Sequence, residues 1–158
     1  MSKSMNLARL LLDRFRWFDQ ALLMALNDRM GLKVTSAQSL LFADLPFDGI
    51  RQAHLARRLG VSRQAINELV QGLERQGLVE VVPDPDSRRS RLVRPTARGR
   101  KSVRLALETF SQVETELRTR IGDRPVDQLR RALASDWGDP PERSSMSPQG
   151  RVSGRLPT

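Results

Sequence analysis

Arg63, Gln64, Asn67 and Gln71 recur on one side of a stretch whose other side is Ile66, Leu69, Val70 and Leu73. An arginine can span O6 and N7 of guanine, and an amide side chain can span N6 and N7 of adenine, so the four polar residues suit the reading of base edges. Polar groups on a helix face are ordinarily just solvated, and what gives these weight is the element that presents them. The four apolar residues stand at i, i+3, i+4 and i+7, the spacing of one buried helical stripe. Upstream, Leu55, Ala56 and Leu59 give a shorter helix its apolar face. Gly60 can take the positive φ that ends a helix and redirects the chain. Ser62 can restart it by accepting from the free amides of the next turn, and Gly77 supplies the stop. Residues 55–78 therefore predict two short helices joined by a tight turn, a helix-turn-helix.

Composition narrows the partner. The chain of 158 residues is long enough for one domain with a core and helical extensions. Its net charge is +9, and most of it is concentrated: between 51 and 101, eleven Arg and one Lys stand against Glu68, Glu74, Glu80, Asp84 and Asp86, a net of +7. A basic block of this kind suits a polyanion, because each neutralised phosphate releases condensed counterions. Aromatic content is 4% and Tyr is absent, which argues against a stacking platform for single strands. Double-stranded DNA is the expected partner.

Other classes lose support. With no Cys, disulfides, thiolate metal sites and thiol redox chemistry are excluded. One His, no Tyr and no phosphate-binding glycine loop remove the usual acid, base and nucleophile sets. Asp13 and Asp19, on a helix among arginines, read as surface ion pairs. No catalytic residue, cofactor or metal site is expected. No stretch approaches the roughly 18 apolar residues of a membrane span, and no signal peptide is seen. A cytoplasmic, nucleoid-associated protein without a membrane partner is expected.

Around the helix-turn-helix, residues 5–30 carry Ala8, Leu11, Leu12, Phe15, Phe18, Leu22, Ala25, Leu26 and Met30 at helical spacing, widened by Trp17 and Leu23. A helix this apolar on several sides needs more partner surface than a small domain offers. A second helix is predicted over 36–44, capped by Thr35 or Ser36, with Leu40, Leu41 and Leu45 inward and Pro46 closing it. Residues 79–82 and 92–94 read as paired strands, with 83–91 as a basic loop between them, a wing. Thr96 caps a long helix over 97–121 whose stripe is Val103, Ala106, Leu107, Phe110, Val113, Leu117 and Ile121. Gly122 and Pro125 punctuate it before a last helix over 126–137 with Val126, Leu129, Leu133 and Trp137. Residues 138–158 are rich in Pro, Ser, Gly and Arg, with Arg143, Arg151 and Arg155 among them, and are expected to be a disordered tail. The fold class expected is mainly α with a small two- or three-stranded wing: 35–96 a winged helix-turn-helix, 5–34 and 97–137 a helical dimerisation region.

The succession of Leu55-Ala56, the run from Leu59 to Ile66, Leu69-Val70, Leu73-Glu74, Gln76 to Val79, Asp84-Pro85, Arg88-Arg89, Leu92-Val93, and Thr96 with Gly99 resembles the MarR family of winged-helix regulators. The resemblance covers roughly residues 5–137. It departs at Ser87, where the family often has an acid before the wing arginines, at Val81 and Val82, where it often has basic residues, and at Pro95, where it often has Leu. An acid that orients the wing must then be Asp86 or come from elsewhere.

The resemblance implies a homodimeric repressor of an inverted-repeat operator, released by a small ligand that is often an aromatic acid. Arg63, Gln64, Asn67 and Gln71 would face bases in the major groove, with the wing tip at the neighbouring minor groove. Arg88 and Arg89 would enter that minor groove. Ser62, Arg57, Arg58, Arg91 and Arg98 would hold the phosphate backbone. Leu11, Phe15, Phe18, Leu22, Phe110, Leu117, Leu133 and Trp137 would form the dimer interface. His54 could touch a ligand, though a partly exposed helix residue is its simpler reading. The alternative is a winged-helix adaptor that holds a protein; its mark would be acidic or apolar residues on the recognition face and no paired wing arginines, the reverse of what stands here.

Overall fold

The computed structural model describes residues 6–140 and contains six helices and three strands among them: α1 (Leu7–Met30), α2 (Ser36–Ala43), β1 (Ile50–Arg51), α3 (Gln52–Leu59), α4 (Arg63–Arg75), β2 (Val79–Asp84), β3 (Ser87–Pro95), α5 (Ala97–Ile121) and α6 (Asp123–Ala134). The chain divides into two compact units, one running to Arg120 and one beginning at Ile121. Of the expected tail only 138–140 are described; Arg143, Arg151 and Arg155 lie outside the described residues, as does Met5.

Local chemistry sets each boundary. Asn6 caps α1 by accepting the Arg9 amide at 2.9 Å. Thr35 and Gln38 form a reciprocal capping box on α2. Gly60, at φ 64°, ends α3 in the left-handed region that an L side chain rarely adopts. The Ser62 hydroxyl then accepts the Ala65 amide at 3.1 Å and starts α4. Thr96 does the same for α5, accepting from Gly99 at 3.0 Å while its own hydroxyl donates to the Gly77 carbonyl at 2.6 Å. That places α5 hard against the base of β2: a Cβ on Gly99 would lie 2.1 Å from the Leu78 carbonyl oxygen.

The core is built on α4. Ile66, Val70 and Leu73 are sealed in one cluster with Leu32, Leu41, Leu55 and Val93. Leu40, expected inward, is exposed. Gln38 and Leu41, at i and i+3, are the residues that α2 buries where it packs on α4, and Leu45 is buried just beyond the helix end.

The sheet is antiparallel in the order β1-β3-β2. Val81 pairs with Val93 and Val82 with Leu92, as the two β-branched runs imply. The segment 83–91 is a correction: most of it is strand, and only Pro85 and Asp86 turn the hairpin. Pro83 is accommodated because β2 is an edge strand, where a missing donor costs no ladder bond.

The long helices depart from their patterns more than from their boundaries. On α5 the buried residues are Gly99, Ser102, Leu105 and Thr109, while the expected stripe is left partly open, Leu107 at 64% exposure. Ser102 and Thr109 can be buried because their hydroxyls donate to the Gly99 and Leu105 carbonyls of their own helix. In the second unit α6 starts at Asp123, since proline is tolerated in a first helical turn, and ends at Ala134. Trp137 therefore lies beyond the helix, its indole N–H folded back onto the Ala132 carbonyl at 2.8 Å.

Asp13 forms the expected surface pairs, with Arg9 at 3.0 Å and Arg16 at 3.6 Å. Asp19 does not. It is buried, and it accepts the Ser36 hydroxyl across the α1–α2 junction. No described helix is long and apolar enough to cross a membrane.

Candidate nucleic-acid interface

The exposed face of α4 meets the wing across a cleft of about 450 Å³. Arg63 and Asn67 line it from α4, Arg51 and Gln52 from the β1–α3 junction, and Val81, Ser90 and Arg91 from the hairpin. A shallower depression of about 320 Å³ continues it past Asn67 and Arg91 to Gln71 and Glu74. On the other flank Arg63 shares a hollow with Arg57, Gly60 and Val61. Arg63, Asn67, Gln71, Arg57 and Arg91 are thus brought onto one continuous surface.

Gln64 is exposed but lines neither cleft; its amide donates to Glu68 at 3.1 Å. Arg58 is paired with Asp44 at 3.1 Å. Arg89 is exposed, and Arg88 stands beside it in β3. Arg91 donates to the Val81 carbonyl at 3.1 Å, a cross-strand tie that holds its guanidinium at the cleft wall. Arg98 is exposed and donates to the Met30 carbonyl at 3.1 Å. Ser62 is exposed at the start of α4, its hydroxyl already engaged as the cap. His54 is exposed on α3.

Residues outside the expected set complete the surface. Arg51 and Gln52 belong to the basic segment, but a strand of two residues is too short to leave a pattern that would single them out. The acid that fastens the wing is Asp84, not Asp86. Its side chain is 3% exposed, accepts Arg51 Nε at 2.6 Å, and takes the amide of Asp86 at 2.9 Å. The second bond closes an Asx turn at the hairpin tip. Together the Asp86 amide and then the Arg51 guanidinium hold the Asp84 carboxyl below its ordinary pKa, against the opposing effect of burial. One buried carboxylate therefore fixes both the turn and the arginine that faces α4. Arg94 and Glu80 pair near the base of the same hairpin at 2.8 Å.

A MarR-family model matches residues 31–90, the segment from the end of α1 through the wing. A MarR crystal structure, 26% identical, superposes with a TM-score of 0.67 over 84% of this chain and 88% of that one. The winged segment is thus similar to the MarR family, and the chain shares the fold of MarR. Wild-type MarR from E. coli, in its apo form, shares the fold at 24% identity and a TM-score of 0.67, covering 84% of this chain and 96% of that one. The transcriptional activatory protein BadR from Rhodopseudomonas palustris is 51% identical over 53 residues. That stretch is 34% of this chain and spans 30% of BadR's length.

The expected dimer-interface residues fall into three environments. Leu22 is buried in the core of its own chain. Leu11, Phe18 and Leu117 are half-buried. Phe15, Phe110, Leu133 and Trp137 are exposed.

Proposed function

We propose that the protein is a homodimeric transcription regulator of the cytoplasm that binds double-stranded DNA at an inverted repeat, reading bases with α4 and gripping the flanking backbone with the β2–β3 wing. The observation that carries this reading is the single surface shared by Arg63, Asn67 and Gln71 on α4 with Arg51 and Arg91 opposite. A helix enters the major groove with polar side chains toward the bases, and arginines at its flank neutralise phosphates. Arg88 and Arg89 at the hairpin tip supply the minor-groove contact. A protein-holding adaptor would need an apolar or acidic surface at this place.

Dimerisation is supported by apolar side chains that the chain does not cover on α1 and α5, among them Leu7, Leu12 and Leu107. Two-fold symmetry would set the recognition helices about one DNA turn apart, so half-sites should lie roughly 10 bp centre to centre. Repression and activation share this binding step and differ in where the operator lies relative to the promoter. The apolar cavity between α1, α2 and α5 supports control by a small ligand.

Selection from a random double-stranded library at two salt concentrations tests the proposal. Enrichment of an inverted repeat, with affinity falling steeply as salt rises, is the expected outcome; uniform retention without a motif would contradict it.

A further inference from the structure

Two ion pairs of the winged segment, Arg58 with Asp44 and Arg94 with Glu80, join partners that are both exposed. Pairs of that kind hold a side chain weakly, because water competes for both charges. Arg51 and Asp84 differ: the acid's side chain is 3% exposed and the arginine's 39%. The two carboxyl oxygens of Asp84 divide their work. Oδ2 accepts Arg51 Nε at 2.6 Å, and Oδ1 accepts the Asp86 amide at 2.9 Å. No further hydrogen bond reaches the Arg51 guanidinium among the described residues, so its two terminal nitrogens keep their donors.

Arg51 lines the cleft between α4 and the hairpin together with Arg63, Asn67 and Arg91. Three arginines and no acid line this space; Asp84, being buried, is not part of its wall. A duplex with α4 in its major groove and the hairpin in the neighbouring minor groove must send the sugar-phosphate strand that divides the two grooves through this cleft. A guanidinium fork matches two phosphate oxygens at once. An arginine already fixed through Nε also loses less freedom in making that contact than one free on the surface.

We propose that Arg51 grips the phosphate strand lying between the two grooves, and that Asp84 is the positioning residue that holds its guanidinium there. One buried carboxylate then serves the hairpin turn through one oxygen and the grip on DNA through the other. This assignment rests on the DNA-binding reading above and adds to it a residue outside α4 and the hairpin, together with the group that aims it.

The test titrates the full chain, as wild type, Arg51→Ala, Arg51→Lys, Asp84→Asn and the double variant R51A/D84N, against the selected inverted repeat and a scrambled duplex over a range of salt. R51A should weaken both duplexes alike, by about tenfold, and lower the salt slope by about one. R51K keeps the charge without the fork, so it should recover the slope but not the affinity. D84N preserves the turn, because Asn can accept the Asp86 amide as Asp does, and it removes an acid, which on charge alone would tighten binding. It should instead weaken both duplexes about threefold or more, and in the R51A background it should weaken neither. Unchanged affinity and slope in R51A, a loss confined to the inverted repeat, full recovery by R51K, tighter binding by D84N, or an equal loss from D84N with and without Arg51 would each overturn the proposal and leave the regulator reading intact. A wild-type chain that holds neither duplex would overturn both. The two Arg51 variants decide the grip even if D84N does not fold.

Discussion

On α4 the apolar face is used up within the chain, Ile66, Val70 and Leu73 being sealed in one cluster with Leu41, Leu55 and Val93, whereas on α1 and α5 the residues Leu12, Phe15, Leu107 and Phe110 stay open to solvent. The apolar face of α4 is thus used up in a core that Leu22, Leu26 and Leu105 of the long helices help to close, and its outward face is free to be polar and basic. The long helices do the opposite: they bury one narrow side, Leu22 and Leu26 on α1 and Leu105 on α5, and keep apolar surface for something else. Fold stability and the proposed self-association thus draw on different faces of one chain, and variants on the two should fail differently.

The largest effect should come from the sealed part. Leu55→Ala removes a fully buried side chain from the helix-turn-helix core and should lower unfolding stability by about 2–5 kcal/mol in a urea titration. Leu12→Glu, at a position 43% exposed on α1, should leave the unfolding of the chain within about 0.5 kcal/mol. It should weaken the proposed dimer by about 2 kcal/mol, near thirtyfold in dissociation constant by sedimentation. A dimer untouched by this charge would show that the open face of α1 serves something other than self-association.

Smaller changes sharpen the contrast inside the winged segment. Ser62→Ala should cost about 1 kcal/mol of stability by removing the α4 cap, and should weaken binding to all DNA sequences alike if the start of α4 rests on a phosphate. Asp84→Asn bears on the wing alone. A carboxyl whose pKa is lowered in the folded state contributes stability above its unfolded pKa, near 4, and loses it as pH falls through the lower folded value. At neutral pH the variant should therefore melt below the parent, and the two melting curves should converge in acid beneath about pH 4.

The parts of the fold that could be read from the residues are those where polarity and periodicity agree. The helix-turn-helix, the paired valines of the hairpin and the span of α5 from its Thr96 cap to Ile121 are of this kind. What escaped is where a buried position carries a polar residue. Asp19 stands with Leu22 and Leu26 at i, i+3 and i+7, on the buried side of α1, yet its charge among arginines makes it look like surface. Ser102 and Thr109 mislead likewise, because hydroxyls satisfied by their own helix can be buried beside Leu105 as if apolar. The cleft opposite α4 was only half legible. Arg63, Asn67, Gln71 and Arg91 carry a helical or wing pattern, whereas Arg51 and Asp84 come together only through the β1–β3 pairing and the hairpin turn.

The most direct measurement compares the wild-type chain with the double variant Arg63→Ala, Asn67→Ala on the selected inverted repeat and on a scrambled duplex at one fixed salt concentration. The wild type should favour the repeat by about 10³ or more, and the variant should lose about 1–3 kcal/mol of that discrimination for each residue removed while keeping its salt-dependent hold on the scrambled duplex. Equal discrimination by the two proteins would contradict the assignment of base reading to the exposed face of α4.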